Sequence, residues 1–108
     1  MSFNPVEGSV QDFPADLVFL ALGFTGPERN ELLEGLGVEL DQRGNVKRDE
    51  DFRTTVEDVF VCGDMGRGQS LIVWAIAEGR SCAAAVDRLL SGSTQLPSPV
   101  TPTSAPLR

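Results

Sequence analysis

The residues best suited to chemistry lie in one short stretch, from the pair Gly63–Asp64 to Leu71. Gly63, Gly66 and Gly68 follow a short apolar run, and a long apolar stretch begins at Leu71. Glycines let a ligand approach the main chain without meeting Cβ atoms. The first N–H groups of the helix predicted here are unpaired and carry about half a positive charge. This pattern favours a polar or anionic ligand, with Asp64 placed to accept hydrogen bonds from sugar or polyol hydroxyls.

The glycine spacing by itself is a weak signal. Its order, G-x-x-G-x-G, differs from the GxGxxG of dinucleotide-binding turns, and no lysine follows as in a P-loop. The glycines can equally make a plain turn in which Asp64 caps a loop. Seven consecutive apolar residues, 71–77, favour the ligand, because they predict a buried helix N-terminus whose donors need partners other than water.

The elements expected to position this stretch are two apolar strands and one long helix. Residues 59–62 (VFVC) predict a short strand leading into Gly63, and the helix runs from about Ser70, which can cap it, to Leu90. The almost unbroken apolar run of residues 16–22 (DLVFLAL) predicts a strand buried on both faces. We therefore expect an α/β arrangement in which the two strands run parallel.

Local signals between the two strands predict a short helix and a hairpin. Pro27 suits the first position of a helix over residues 27–36, which Gly37 ends. Residues 38–40 and 45–47 flank a turn-rich stretch and predict a small hairpin. The charged residues 48–52 are expected to be exposed.

Both ends of the chain are predicted to be irregular. Residues 1–14 are polar and contain prolines and a glycine, so they form an irregular lead. Residues 91–108 are rich in Ser, Thr and Pro, and proline at this density forbids a helix and interrupts strand pairing. We predict a disordered tail there, with order confined to residues 15–90.

Length and charge exclude several classes of protein. The chain has 108 residues, which make one small domain at most. Its formal net charge of -7 argues against nucleic acid as a partner. No apolar run approaches the ~20 residues of a membrane span, and the N-terminus lacks a signal-peptide pattern. A cytoplasmic location is expected.

The chain contains no histidine, which removes the commonest general base and the triads that depend on it. Its two cysteines, Cys62 and Cys82, are too few for a disulfide framework. They are also too far apart in sequence for a CxxC pair, so we interpret both as reduced, structural thiols. No metal site is expected.

Residues 53–90 (RTTVEDVFVCGDMGRGQSLIVWAIAEGRSCAAAVDRLL) resemble the FAD-binding C-terminal signature of the NADPH-dependent glutamate synthase small (beta) subunit and its flavoprotein relatives. Residues 15–28 (ADLVFLALGFTGPE) resemble the segment in which that family's chain returns from its NADPH domain to its FAD domain. The likeness is strongest over GDMGRGQSLIVWAIAEGR. It implies that residues 15–90 are part of a Rossmann-like FAD-binding domain, a fragment of a two-dinucleotide-domain flavoprotein reductase.

The resemblance also implies a role for each residue of the glycine-rich stretch. Asp64 would hold the ribityl chain of FAD, and the backbone of Ser70 and Leu71 would face the pyrimidine edge of the isoalloxazine. Gly63 and Gln69 complete the implied cofactor-binding set. The chain would supply no catalytic side chain, because the flavin carries the reaction.

The whole enzyme of this family passes electrons from NADPH through FAD and iron–sulfur clusters to a glutamate-forming large subunit. The NADPH, adenosine and cluster sites would lie outside this sequence, which has neither a GxGxxG nor a cysteine cluster. The implied partners are therefore the rest of the reductase and the large subunit, and the fragment alone is expected to be inactive. Two alternatives stay open: another NAD(P)H-dependent FAD/iron–sulfur reductase of the same family, and a non-catalytic remnant.

Three further side chains near this stretch have simpler interpretations. Trp74 is expected to be a core aromatic rather than a partner stacked on flavin. Arg67 can meet a phosphate or carboxylate, or equally can point into solvent. A position on the helix surface explains Glu78 without any function.

Overall fold

The computed structural model describes residues 4–28 and 31–104. Three helices follow one another along this part of the chain: α1, Glu31–Leu36; α2, Asp64–Arg67; and α3, Ile72–Ser91. The described residues contain no extended strand, only two isolated antiparallel bridges, Leu40 to Val46 and Arg53 to Phe60. None of their helices is long and apolar enough to cross a membrane.

The predicted hairpin over residues 38–47 is confirmed. Leu40 and Val46 form its bridge, and the Asp41 N–H donates to the Asn45 carbonyl oxygen at 2.7 Å. The Asp41 carboxylate accepts the N–H groups of Arg43 and Asn45, the local bonding by which aspartate stabilises a turn. The bonds that close this hairpin connect residues within eight positions of each other.

A small apolar core lies between this hairpin and α1. Leu33 from α1 packs with Val46 and Val61, and Val38 and Leu40 contact them. Gly37 ends α1 as predicted, with φ 70° and its N–H donating to the Leu33 carbonyl oxygen. Pro27 lies in a bend rather than in a helix, and residues 29–30 of the predicted helix lie outside the described part.

The prediction of a buried strand over residues 16–22 is wrong for this structure. Leu20 is 83% exposed, and its apolar neighbours on both sides are exposed as well. No residue in 4–28 or 31–104 pairs with this run in a β-bridge. A central strand needs a neighbour on each edge to take its backbone N–H and C=O groups, and no other segment described here supplies one.

The second predicted strand pairs differently from our expectation. Phe60 bridges to Arg53 in the antiparallel direction, and the Val61 N–H donates to the Phe52 carbonyl oxygen at 2.9 Å. Residues 59–62 therefore fold back on the segment just before them instead of running parallel to residues 16–22. That folding turns Phe52 and the side chain of Arg48 inward, so residues 48–52 are not the uniformly exposed stretch we predicted.

The proline-rich tail is irregular between residues 92 and 104, as its composition predicts, but it is not loose. The Val100 N–H donates to the Ser81 hydroxyl of α3 at 3.0 Å, and the Ser104 carbonyl oxygen accepts from Arg67 at 2.9 Å. Backbone N–H and C=O groups that do not pair in a β-sheet form hydrogen bonds with side chains instead. Residues 105–108 of the predicted disordered tail lie outside the described part.

The fold leaves a large surface uncovered. Its accessible area is 8978 Å², whereas a compact protein of this mass exposes about 5,800 Å². The exposed apolar side chains include those of residues 17–24 and of the start of α3.

Candidate functional site

The glycine-rich stretch, which we predicted as a turn, folds as one helical turn, α2. Glycines flank it on both sides, with Gly63 at φ 68° and Gly68 at φ 87°. These left-handed conformations favour glycine, and they let the chain reverse direction at both ends of so short a helix. The Val46 N–H donates to the Met65 carbonyl oxygen at 2.9 Å, which joins α2 to the hairpin.

Gly63 lies directly against α3. A Cβ atom at this position would come within 3.6 Å of the Ala75 Cβ, and the Gly63 N–H donates to Glu78 Oε2 at 2.8 Å. Its N–H is therefore engaged inside the protein. What Gly63 contributes to the site is the turn that presents Asp64.

Asp64 and Ser70, two of the predicted site residues, contact each other. Asp64 Oδ1 accepts the Ser70 N–H at 3.3 Å and the Ser70 hydroxyl at 3.1 Å. Ser70 thus binds Asp64 rather than capping α3, which begins at Ile72 after Leu71 as its N-cap. No side chain in the described part of the protein caps that end.

The start of α3 is exposed, which contradicts the predicted burial of its first two turns. Ile72 is 76% exposed, and Leu71, Val73 and Ile76 are exposed as well. The buried face of α3 lies further along, at Glu78, Ser81, Cys82, Ala84 and Ala85. An apolar run predicts only that a helix packs against other parts of the protein. In this structure the packing buries later turns of α3 and leaves its start exposed.

A cleft of about 270 Å³ brings two distant parts of the sequence together. Its lining combines Asp64, Met65 and Gln69 with residues of the segment 24–27. The two segments that carry the family resemblance, 15–28 and 53–90, therefore meet at this cleft. The residues that line it are Phe24, Gly26, Pro27, Asp64, Met65 and Gln69.

Glu78 is the residue that sequence reasoning missed. It is 0% exposed, and its carboxylate accepts four hydrogen bonds. Arg48 donates two of them, at 2.6 and 2.9 Å, Arg67 donates one at 2.6 Å, and the fourth comes from Gly63. The helical period would have indicated burial, because Glu78 shares a face of α3 with Ser81, Cys82 and Ala85.

The two arginines are held on this carboxylate by further contacts. The Arg48 guanidinium lies 5.3 Å from the centre of the Phe52 ring, and the Arg67 guanidinium lies 4.4 Å from the centre of the Trp74 ring. Arg67 therefore points neither to a ligand nor to solvent. Trp74 is half-buried beneath it, so the expected core role of this aromatic holds only in part.

The electrostatics of this cluster favour a charged Glu78. Burial raises the pKa of the Glu78 carboxyl, but the hydrogen bonds from Arg48, Arg67 and the Gly63 N–H outweigh it, so this pKa lies below its usual range. Two buried arginines face one carboxylate, which leaves the cluster with one excess positive charge.

Both cysteines are free thiols. Burial, with a further contribution from the neighbouring Cys62, raises the pKa of Cys82 to about 11. A thiol that stays protonated is a poor nucleophile, so Cys82 acts here as a packing residue.

A profile of the pyridine nucleotide-disulphide oxidoreductase family matches residues 3–79 of this chain. The glutamate synthase [NADPH] small chain of Mycobacterium tuberculosis (strain H37Rv) is 66% identical over 98% of this chain and 22% of its own length. The protein of that name from Bacillus subtilis (strain 168) is 46% identical over 88% of this chain and 19% of its own length.

A third relative has a different name. The putative oxidoreductase AegA of Escherichia coli (strain K12) is 41% identical over 76% of this chain and 13% of its own length. The chain spans about a fifth of the length of the two small chains that it matches.

Proposed function

The chain belongs to the pyridine nucleotide-disulphide oxidoreductase family, and on that premise we propose that it is the flavin-facing part of an FAD-binding domain. The observation that carries this proposal is the meeting of Asp64, Gln69 and residues 24–27 at one cleft, beside the uncapped start of α3. A carboxylate, an amide and backbone N–H donors are the groups that recognise the hydroxyls and carbonyls of a flavin.

The residues present fit that cofactor. The exposed Asp64 carboxylate would accept hydrogen bonds from ribityl hydroxyls, and the N–H groups at the start of α3 would face partial negative charge on the ring. The Ser70 N–H is already shared with Asp64, so Leu71 offers the more available donor of that pair. The exposed apolar side chains of residues 71–73 would lose their contact with water against a flat aromatic ring or its surrounding domain.

Bound FAD would supply the redox chemistry by accepting a hydride from a nicotinamide cofactor and passing its electrons on. This chain's own groups would bind and orient the cofactor. The dipole at the start of α3 would favour the negative charge that a reduced ring carries. None of its side chains would need to transfer a proton.

We assign the whole protein to the small subunit of an NADPH-dependent glutamate synthase. The 66% identity to the Mycobacterium tuberculosis small chain supports this assignment. NADPH, the adenosine half of FAD and the iron–sulfur clusters would be held by other segments of that subunit, and the acceptor would be the glutamate-forming large subunit in the cytoplasm. The chain alone would be inactive, because it spans about a fifth of such a subunit.

A related reductase with another acceptor is the second candidate, and the 41% identity to AegA supports it. A non-catalytic remnant is the third. The three candidates differ in whether FAD binds and in which acceptor receives the electrons.

The test replaces the matching segment of the Mycobacterium tuberculosis small chain with this chain and measures FAD affinity by flavin fluorescence. We expect the hybrid to bind FAD, and Asp64→Ala to weaken binding about tenfold or more, because hydrogen bonds to a charged group are worth about 1.5–3 kcal/mol. Asp51→Ala is the matched control, since the Asp51 carboxylate also bonds a single residue, the exposed Arg88 of α3.

A folded hybrid that does not bind FAD, or an Asp64→Ala variant that binds as tightly as the parent, would reject the proposal. Glutamate formation with the large subunit then separates the first candidate from the second, since a reductase for another acceptor reduces FAD but does not support that reaction.

A further inference from the structure

We infer that Glu78 is a positioning residue for the cofactor site, where its buried carboxylate fixes the Gly63–Asp64 peptide relative to the start of α3. This inference rests on the proposed function. It adds a residue of α3 that does not line the cleft and acts through hydrogen bonds to those that do.

The first step is the path from Glu78 to Asp64. Glu78 Oε2 accepts the N–H of Gly63, the residue that immediately precedes Asp64. On the other side, Asp64 Oδ1 accepts the N–H and hydroxyl of Ser70, just before α3. The Asp64 peptide is therefore tied to α3 twice, once to the body of the helix and once to the segment that leads into it.

The second step is that the same carboxylate holds the far end of α2. Arg67, the last residue of α2, donates to Glu78 Oε1 at 2.6 Å. Gly63 and Arg67 flank the helical turn between them, so one side chain of α3 binds both ends of α2. The orientation of α2 on α3, and with it the direction of the Asp64 carboxylate, depends on Glu78.

The third step concerns Arg48, which comes from the segment after the hairpin. Its guanidinium binds both oxygens of Glu78, and its side chain lies so close to α2 that a Cβ atom on Gly66 would be 3.0 Å from Arg48 Cδ. Without the carboxylate, two buried cations would remain next to each other against α2. Their repulsion would move the turn that carries Asp64.

The fourth step distinguishes a positioning role of Glu78 from a contribution to stability alone. A buried ion cluster is weak support for stability, because apolar side chains of similar volume often do as well. Four hydrogen bonds from three residues onto two oxygens instead specify a single geometry. A cofactor site needs such a fixed geometry, since a displacement of about 1 Å can cost about a hundredfold in rate.

The experiment uses the hybrid small chain described above and compares the parent, Glu78→Gln and Asp51→Asn. Asp51→Asn is the matched control, because it also removes a carboxylate that pairs with an arginine. That pair, with Arg88 of α3, is exposed. FAD affinity and the visible circular dichroism of bound flavin are measured at a temperature where each protein is fully folded. Hydrogen exchange of the Gly63 and Asp64 amides is measured without FAD.

For Glu78→Gln we expect the FAD dissociation constant to rise about tenfold, the flavin dichroism to change and the Gly63 amide to exchange faster. The control should stay within about twofold of the parent, as exposed ion pairs contribute little. A purely structural role would lower the melting temperature of Glu78→Gln but leave the affinity and dichroism of the folded protein unchanged, and that result overturns the inference.

A parent hybrid that does not bind FAD overturns the proposed function, and the inference falls with it. A parent that binds, beside a Glu78→Gln variant that binds equally well, overturns the inference alone. If Glu78→Gln does not fold, Arg67→Gln decides in its place, because the Arg48 and Gly63 bonds to Glu78 remain. We then expect a rise of about threefold or more in the dissociation constant, and an unchanged value rejects the positioning role.

Discussion

The two halves of α3 belong to regions of opposite character. Its middle turns, from Glu78 to Ala85, lie in a closed region, together with the hairpin and the core of Leu33, Val46 and Val61. One face of these turns is buried, and the Glu78 carboxylate is fully bonded. Its first turn, with residues 17–24, forms an open region of exposed apolar side chains. The change occurs within about two helical turns, at Glu78.

This contrast separates the part of the chain whose apolar and charged side chains find partners within the chain from the part whose apolar side chains do not. The contacts of the closed region are made within residues 31–104. The open region has the composition of a strand and a helix end that are buried on all sides, and a sequence of that kind is stable only against a partner. Under the proposed function, FAD and other parts of its domain would cover this region.

The largest expected effect is in the closed region, at Glu78. Glu78→Ala leaves Arg48 and Arg67 buried without their counter-charge, so we expect the free energy of unfolding of the chain to fall by about 3–5 kcal/mol. Urea denaturation followed by circular dichroism measures it. Asp51→Ala, which breaks the exposed pair with Arg88, is the control and should cost less than about 1 kcal/mol. Equal losses for the two variants would erase the contrast.

The apolar core should show the next largest effect. Leu33→Ala removes the α1 side chain that packs on Val46 and Val61. We expect a loss of about 2–3 kcal/mol, in the lower part of the range for such changes, because a small cluster can partly collapse. The same urea titration measures it, with Leu32→Ala as the exposed neighbour that should change little. A loss below that of Leu32→Ala would mean that α1 does not close the core.

Acid should weaken the closed region by protonating Glu78. Its pKa is lower in the folded chain than in the unfolded one, so its stabilisation is present above about pH 4.5. That stabilisation is lost as the pH falls through the folded value. The nearby thiol of Cys82, with a pKa of about 11, stays neutral in this range.

The measurement is the difference in unfolding free energy between the parent chain and Glu78→Gln as a function of pH. This difference isolates Glu78 from Glu39 and Asp41, whose pKa values are also lowered, by Lys47 and by turn N–H groups respectively. We expect it to shrink as the pH falls below the unfolded pKa. A difference independent of pH would mean that Glu78 does not stabilise the fold through its charge.

The smallest effect is expected in the open region. Leu20→Ser changes a side chain that is 83% exposed, so the stability of the chain alone should shift by no more than about 0.5 kcal/mol. In the hybrid small chain the same substitution should cost about 1.5–3 kcal/mol, the value for an apolar side chain that becomes buried. Equal costs in the two settings would show that this run stays uncovered.

The sequence predicted local structure well and distant contacts poorly. The hairpin, the end of α1 at Gly37 and the extent of α3 all depend on residues within a few positions of each other, and all are present. Glu78 was expected on the helix surface and Arg67 near a ligand or solvent. Both expectations failed because the contacts join residues 11 to 30 positions apart.

The candidate site likewise has a part that the sequence predicted and a part that it did not. Asp64, Ser70 and Gln69 were singled out from the sequence, and the structure brings Asp64 to Ser70 and to the cleft that Gln69 lines. The role of residues 24–27 in that cleft depends on how two separate segments meet. Residue types and spacing do not report such a meeting without the fold.

The sequence by itself determined the family and much of the local structure. Hydrogen bonds within turns and helices join residues close in sequence, and the pattern around Gly63–Asp64 consists of consecutive residues. Only the tertiary structure decided which faces are covered: α3 is exposed at its start and buries one face between Glu78 and Ala85. The physical reason is that burial and charge pairing depend on partners brought close in space. One buried carboxylate with two arginines exists only where three distant segments converge.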